Sequence, residues 1–268
     1  QCYVGINYYY GDGGVEQDDA QAADWFRRAL DSGYEESAYW LGLCAWNGRG
    51  MAEDRTAAVD WFRRAAEAGV VRAGFYLGLA AERGWGAEQS GEEAARWYRR
   101  AAEEGSLRGM NNLGELYRKG KGVERDYDAA LALYRRAAER EDDTALYNLG
   151  ECYELGQGVE PDLEKALTYY RHAAKLGEGS ALCALGRFYE KGVQVTADPA
   201  KALSYYRQAA DREDAEGMYR LALCYLEDKA APELLRQLRE KLLHMQINSI
   251  AMSQESIAEA IAPSQWWN

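Results

Sequence analysis

One spacing governs this chain. Arg27, Arg63, Arg99, Arg135, Arg171 and Arg207 recur every 36 residues, and Ala22, Ala58, Ala94, Ala130, Ala166 and Ala202 keep the same step. So do Ala29, Ala65, Ala101, Ala137, Ala173 and Ala209, and Leu41, Leu77, Leu113, Leu149, Leu185 and Leu221. Four columns in phase over six copies are not a product of chance. A unit of this size cannot bury its apolar face alone, so copies must stack on one another, and the chain is read as a solenoid.

Each copy reads as two helices. The first runs from Ser37 to Trp46 in one copy and from Ala145 to Glu154 in another. With Leu149 at the origin of a 100° wheel, Ala145, Leu146, Cys152 and Tyr153 lie within about 60° of it, which makes one apolar stripe. A glycine follows the leucine in five copies (Gly42, Gly78, Gly114, Gly150, Gly186), and Ala222 replaces it in the last. Glycine inside a helix costs roughly 1 kcal/mol against alanine, so its recurrence points to a close helix approach at the flank of that stripe.

Glycine pairs close the first helix (Gly48 and Gly50, Gly84 and Gly86, Gly120 and Gly122, Gly156 and Gly158). They supply left-handed backbone for a turn. Asp18, Asp54, Asp126, Asp162 and Asp198, with Ser90 in the third copy, stand just ahead of the second helix and read as N-caps. That helix carries an aromatic pair in most copies, from Trp25-Phe26 to Tyr205-Tyr206, one ring facing into the unit and one toward its neighbour. Gly33, Gly69, Gly105 and Gly177 end it.

The pattern closely resembles the Sel1-like repeat family, relatives of the tetratricopeptide repeat. The resemblance rests on Ala145-Leu146-Tyr147-Asn148-Leu149-Gly150, Gly156-Gln157-Gly158-Val159, Asp162, and Lys165-Ala166 through Tyr169-Tyr170-Arg171-His172-Ala173-Ala174. It covers residues 2 to about 230. It implies an all-α fold, a right-handed α-solenoid of helix-turn-helix units, with first helices lining the concave surface. The first copy matches through Val4-Gly5 only if Gly13-Gly14 holds one extra residue. The array is expected over residues 1–231, six repeats and a seventh first helix, and residues 232–246 are expected to form a capping helix opened by Pro232. Residues 247–268 form a tail ending in Trp266-Trp267, with a short helix expected at Ser253-Gln254-Glu255-Ser256. Its tryptophans are expected to pack on the cap helix or to enter a concave groove, of this chain or of a neighbouring molecule, which makes the tail a candidate for self-association. With residue 2 already inside a first helix, the array is expected to continue upstream.

The search for chemistry yields little. Lys and Arg total 32 against 44 Asp and Glu, a net charge of −12, which opposes nucleic acid. No apolar run is long enough for membrane insertion. Cys44, Cys152 and Cys224 share a column with Ala80, Leu116 and Phe188, so they read as packing residues. The cysteine pair per repeat of some secreted Sel1-like proteins is missing, which favours a reducing, cytoplasmic setting over a processed secreted or periplasmic one. His172 and His244 have no ligand spacing, and no metal or cofactor is expected. Gly120-Lys121-Gly122 repeats as a turn rather than a phosphate loop. Early family members were linked with β-lactamase activity, but no Ser-x-x-Lys occurs here, and no catalytic set is assigned. The arginine column beginning at Arg27 reads as structural, its stems on aromatics and its heads on carboxylates.

Columns that hold constant build a repeat array, and columns that vary are free to read a ligand. On the first helices the varying face offers Tyr39, Trp40, Leu43, Trp46, Phe75, Tyr76 and Leu79 in the N-terminal half. It offers Arg72, Arg108, Asn111, Asn112, Lys119 and Asn148 centrally, then Arg187, Lys191 and Arg220. Amides can hold peptide backbone, guanidinium groups can take carboxylates, and aromatics can bury an anchor. The expected function is a non-catalytic scaffold or adaptor that binds a peptide or protein segment on its concave face. The candidate residues are Tyr39, Trp40, Leu43, Arg72, Tyr76, Arg108, Asn111, Asn112, Asn148 and Arg187. The rival reading is a small-molecule or cell-wall-fragment binder, or weak hydrolase, using the aromatic N-terminal face.

Overall fold

The computed structural model describes residues 1–227, and the expected cap and tail lie outside them. These residues form thirteen α-helices and no strand. First helices alternate with second helices: α1 (Cys2–Tyr10), α2 (Asp19–Asp31), α3 (Ser37–Asn47), α4 (Arg55–Glu67), α5 (Val71–Arg83), α6 (Gly91–Glu103), α7 (Leu107–Lys119) and α8 (Tyr127–Ala138). They continue as α9 (Asp143–Leu155), α10 (Leu163–Leu176), α11 (Gly179–Lys191), α12 (Pro199–Asp211) and α13 (Ala215–Glu227). Contacts divide the chain into two compact units, Gln1–Arg136 and the part that begins at Ala137.

Local chemistry sets the helix ends. The side chains of Asp18, Asp54, Ser90, Asp162 and Asp198 each accept a hydrogen bond from a backbone N–H three residues on, and Asp126 does the same for Ala129. These are the N-caps expected from the sequence. Each first helix from α3 to α11 ends on a left-handed glycine, as Gly156 does at φ 67°. Where the second helices end, two copies lack the glycine. Glu141 and Glu213 take its place and its left-handed backbone, at φ 56° and 60°.

The glycine beside each conserved leucine has a steric cause. A Cβ at Gly150 would stand 2.5 Å from the Tyr170 ring, and one at Gly42 would stand 2.6 Å from Phe62. The six rings at this position (Phe26, Phe62, Tyr98, Tyr134, Tyr170, Tyr206) have no exposed surface at all. Each fills the notch that glycine leaves on the first helix of its own copy. Gly5 meets Phe26 in the same way, so the first copy carries one extra residue in its turn. Cores of alanine, leucine and these rings run through each unit.

A buried phenol needs an acceptor and a buried phenyl does not. Tyr98, Tyr170 and Tyr206 donate to Glu82, Glu154 and Glu190, each sixteen residues earlier, at 2.9, 2.6 and 2.8 Å. In the two copies with Phe26 and Phe62, the same first-helix position, four residues after the notch glycine, holds Tyr9 and Trp46. The arginine column finds its partners in both carboxylates and phenols: Arg63 pairs with Asp60 at 2.8 Å as expected. Arg99 donates to the Tyr117 hydroxyl and Arg207 to that of Tyr225, at 3.1 and 2.9 Å.

Candidate functional site

Four columns on the first helices vary in chemistry from copy to copy. One reads Trp40, Tyr76, Asn112, Asn148, Ala184, Arg220, and its neighbour reads Tyr39, Phe75, Asn111, Tyr147, Cys183, Tyr219. A turn to either side stand Glu36, Arg72, Arg108, Thr144, Ser180, Glu216 and Leu43, Leu79, Glu115, Glu151, Arg187, Leu223. Every sequence-derived candidate falls in these four.

In the first unit the aromatic members of the columns are packed on one another. Trp40 stacks on Phe26, with ring centres 5.5 Å apart and planes within 12°, and meets Tyr9, Tyr10 and Tyr39 edge-on. Tyr76 stacks on Phe62 at 4.6 Å. Tyr39, Trp40 and Leu43 are buried, while Phe75 and Tyr76 are half-buried. Arg72 lies over Tyr39 and pairs with Glu36 at 2.8 Å, and Arg108 extends over Phe75. Asn111 is buried, and the half-buried Asn112 meets the hydroxyl of Tyr98. The outward chemistry of this unit is thus shared by the arginines, Asn112 and the half-buried rings of Phe75 and Tyr76.

The second unit differs because its side chains shrink. Where α3 carries Tyr39-Trp40 and α5 carries Phe75-Tyr76, α11 carries Cys183-Ala184, with Ser180 a turn before. The missing volume leaves a cavity of about 220 Å³ bordered by Tyr147 and Glu151 of α9, by Ser180, Cys183, Ala184 and Arg187 of α11, and by Asp214 and Glu216 at the start of α13. Arg187 is the one sequence-derived candidate on its wall. Asn148 is half-buried beside it in sequence and does not line it.

The polar groups of this cavity are ordered. Arg187 reaches Glu154 at 3.3 Å, and Glu154 also accepts the Tyr170 hydroxyl at 2.6 Å, so a core phenol, a carboxylate and a guanidinium form one chain. Asp214 caps α13 through the Gly217 N–H at 2.7 Å and accepts the Ser180 hydroxyl at 2.9 Å. One copy earlier, Thr144 donates to Glu178 at 3.1 Å in the same arrangement. Glu216 pairs with Arg220, which also approaches Glu190 at 3.6 Å.

The field inside is negative. Burial raises the Asp214 carboxyl above its ordinary range, and Glu216 adds to the shift. Burial, then the charge of Glu151, raises the Tyr147 phenol. Burial, then Asp214, raises the Cys183 thiol, which is therefore no nucleophile at neutral pH. Burial likewise holds Cys44 up, to about 12. Arg187, Lys191 and Arg220 suggest a cationic stretch, yet Arg187 is paired with Glu154 of α9 and Arg220 with Glu216 of its own helix and Glu190 of α11. The notice given in the sequence was the Cys183-Ala184 break in two otherwise bulky columns. Tyr147, Glu151, Ser180, Asp214 and Glu216 had no signal of their own, since only packing brings them to one void.

The Sel1 repeat pattern matches residues 1–34, 35–70, 72–106, 107–142, 144–178, 179–214 and 215–232, nearly the whole of the described chain. The chain belongs to the Sel1 repeat family. A Sel1 repeat protein from Oxalobacter formigenes is 32% identical, covers 78% of this chain and 83% of its own, and superposes with a TM-score of 0.73. The protein c5321, a protective antigen present in uropathogenic Escherichia coli strains, is 31% identical with a TM-score of 0.66. It matches 96% of this chain, which spans about half of c5321 (51%). The immunity protein Pa5087 of Pseudomonas aeruginosa is 20% identical over 80% of this chain and 84% of its own, with a TM-score of 0.54, and shares the fold. No curated protein matches the chain. Sel1 repeats commonly mediate protein–protein interaction and are generally non-catalytic. Among the described residues no helix of this Sel1 repeat protein is long and apolar enough to cross a membrane.

Proposed function

We propose that this Sel1 repeat protein is a non-catalytic scaffold that holds a peptide or protein segment on the first-helix face of its repeats. The observation that carries the reading is the contrast between adjacent columns of one helix. The Leu41 column is leucine in all six copies and buried in every one, from Leu41 to Leu221. The column beginning at Trp40, one residue earlier, passes through indole, phenol, amide, methyl and guanidinium. A position that only had to pack would not need that range, and a surface that reads a varied chain does. Arg72, Tyr76, Arg108, Asn112, Asn148 and Arg187 remain its candidate contacts, while Tyr39, Trp40, Leu43 and Asn111 support them from below.

A photo-crosslinking amino acid placed at Arg108 or Asn148, on first helices, and at Arg63 or Lys175, on second helices, tests this in native lysate. Protein-sized adducts from the first pair and none from the second are the expected result. Adducts confined to the second pair, or absent from all four, would overturn it.

A further inference from the structure

We propose that the cavity between α9, α11 and α13 receives a lysine or arginine side chain of the bound segment. The inference deepens the scaffold reading and rests on it. Four properties converge on a cation carried by a chain.

The cavity exists because α11 is small where other first helices are large, so it is a feature of one place in the array and not of the repeat as such. Its volume of about 220 Å³ far exceeds the roughly 10–15 Å³ that one water needs. Among the described residues no group of His, Cys, Asp and Glu could hold a metal, so the space suits an extended organic group rather than a bare ion.

Charge then decides the sign. Glu151, Asp214 and Glu216 line the space against the single guanidinium of Arg187. Adding the charges that hold the wall brings in Glu154 and Glu190 on one side and Arg220 on the other. Five carboxylates thus stand against two cations, and an incoming ammonium or guanidinium reduces the imbalance where a carboxylate would worsen it. Arg187 is paired with Glu154, whose carboxylate offsets its repulsion of such a guest. The Tyr147 ring supplies a face for the cation, and Ala184 with the Cys183 side chain supplies contact for its alkyl stem.

The test is selection of random twelve-residue peptides displayed on phage, run in parallel on the intact chain and on its Asp214→Asn and Glu216→Gln variants. Asparagine keeps the shape and the capping oxygen of Asp214, and Glu216 is exposed, so both variants are expected to fold, as a circular-dichroism melt would verify. Peptides from the intact chain are expected to share one Lys or Arg position. Norleucine there should weaken binding roughly tenfold on the intact chain, with a smaller loss on the variants. Selected peptides without a basic position, or a basic preference that both variants retain, would overturn the cation pocket and leave the scaffold reading standing. Failure to select any peptide would overturn the pocket together with the peptide form of that reading.

Discussion

At position 62 the second-helix ring is phenyl, and at position 98 it is phenol; the difference tracks what lies opposite. Tyr98 finds Glu82, whereas Phe62 lies against Trp46, ring centres 5.8 Å apart. Phe62→Tyr is therefore expected to destabilise the protein by about 1–3 kcal/mol, because its hydroxyl would be buried against an indole. Urea unfolding measures this, and an unchanged midpoint would refute the pairing rule. The left-handed glutamates give the opposite sign. Replacing Glu141 or Glu213 with glycine relieves a conformation costly to L-residues, and each is expected to stabilise by about 1 kcal/mol in the same assay. At this scale the sequence was informative wherever a backbone demand forces one residue type. The glycine notch could be read before its ring was seen, because glycine within a helix needs a reason. The phenol–carboxylate pairs were not read, since sixteen residues separate the partners and each looks like an ordinary surface residue alone.

Helix ends in the second unit carry a titratable joint. Asp214 caps α13 and is tied to Ser180 of α11, and burial raises its carboxyl above the usual range. A carboxyl raised in the folded state favours folding most when protonated. Its contribution is complete below the unfolded-state value, near 3.9, and is lost as pH climbs through the raised folded value. Asp214→Asn cannot ionise, so its melting temperature relative to the parent is expected to rise between pH 4 and pH 7. A difference that stays flat with pH would show that the carboxyl is well solvated. Helix starts and stops were largely legible at this scale, because caps and left-handed glycines are local. The link from Ser180 to Asp214 was not, because it joins two copies and shows only when α11 and α13 pack.

For the molecule as a whole, a repeat array predicts near-neighbour energetics. Excising one full period inside the first unit, residues 73–108, should leave a folded and shorter protein whose urea m-value falls in step with the surface lost. Collapse of folding would instead show that some copies are indispensable. Family and fold class were legible because they rest on repetition, which averages over the accidents of single residues. The candidate site was legible only as a face. Which of its residues point into solvent depends on how much volume neighbours leave, and a void made by Cys183 and Ala184 is visible only as a shape.

The two kinds of joint in this chain bear on how such a protein can lengthen. The ring-in-notch fit, Tyr170 against Gly150, lies inside one copy, so a duplicated stretch of gene brings both halves along. Between copies, the turn at Gly50 sits on the main chain of Asp19 and Ala20, and that at Gly122 on Gly91 and Glu92. A joint read from main-chain atoms is largely indifferent to which side chains flank it. Unequal recombination can therefore insert or remove a copy without breaking the main-chain joint, and only side-chain links between copies, such as Ser180 to Asp214, have to be matched again.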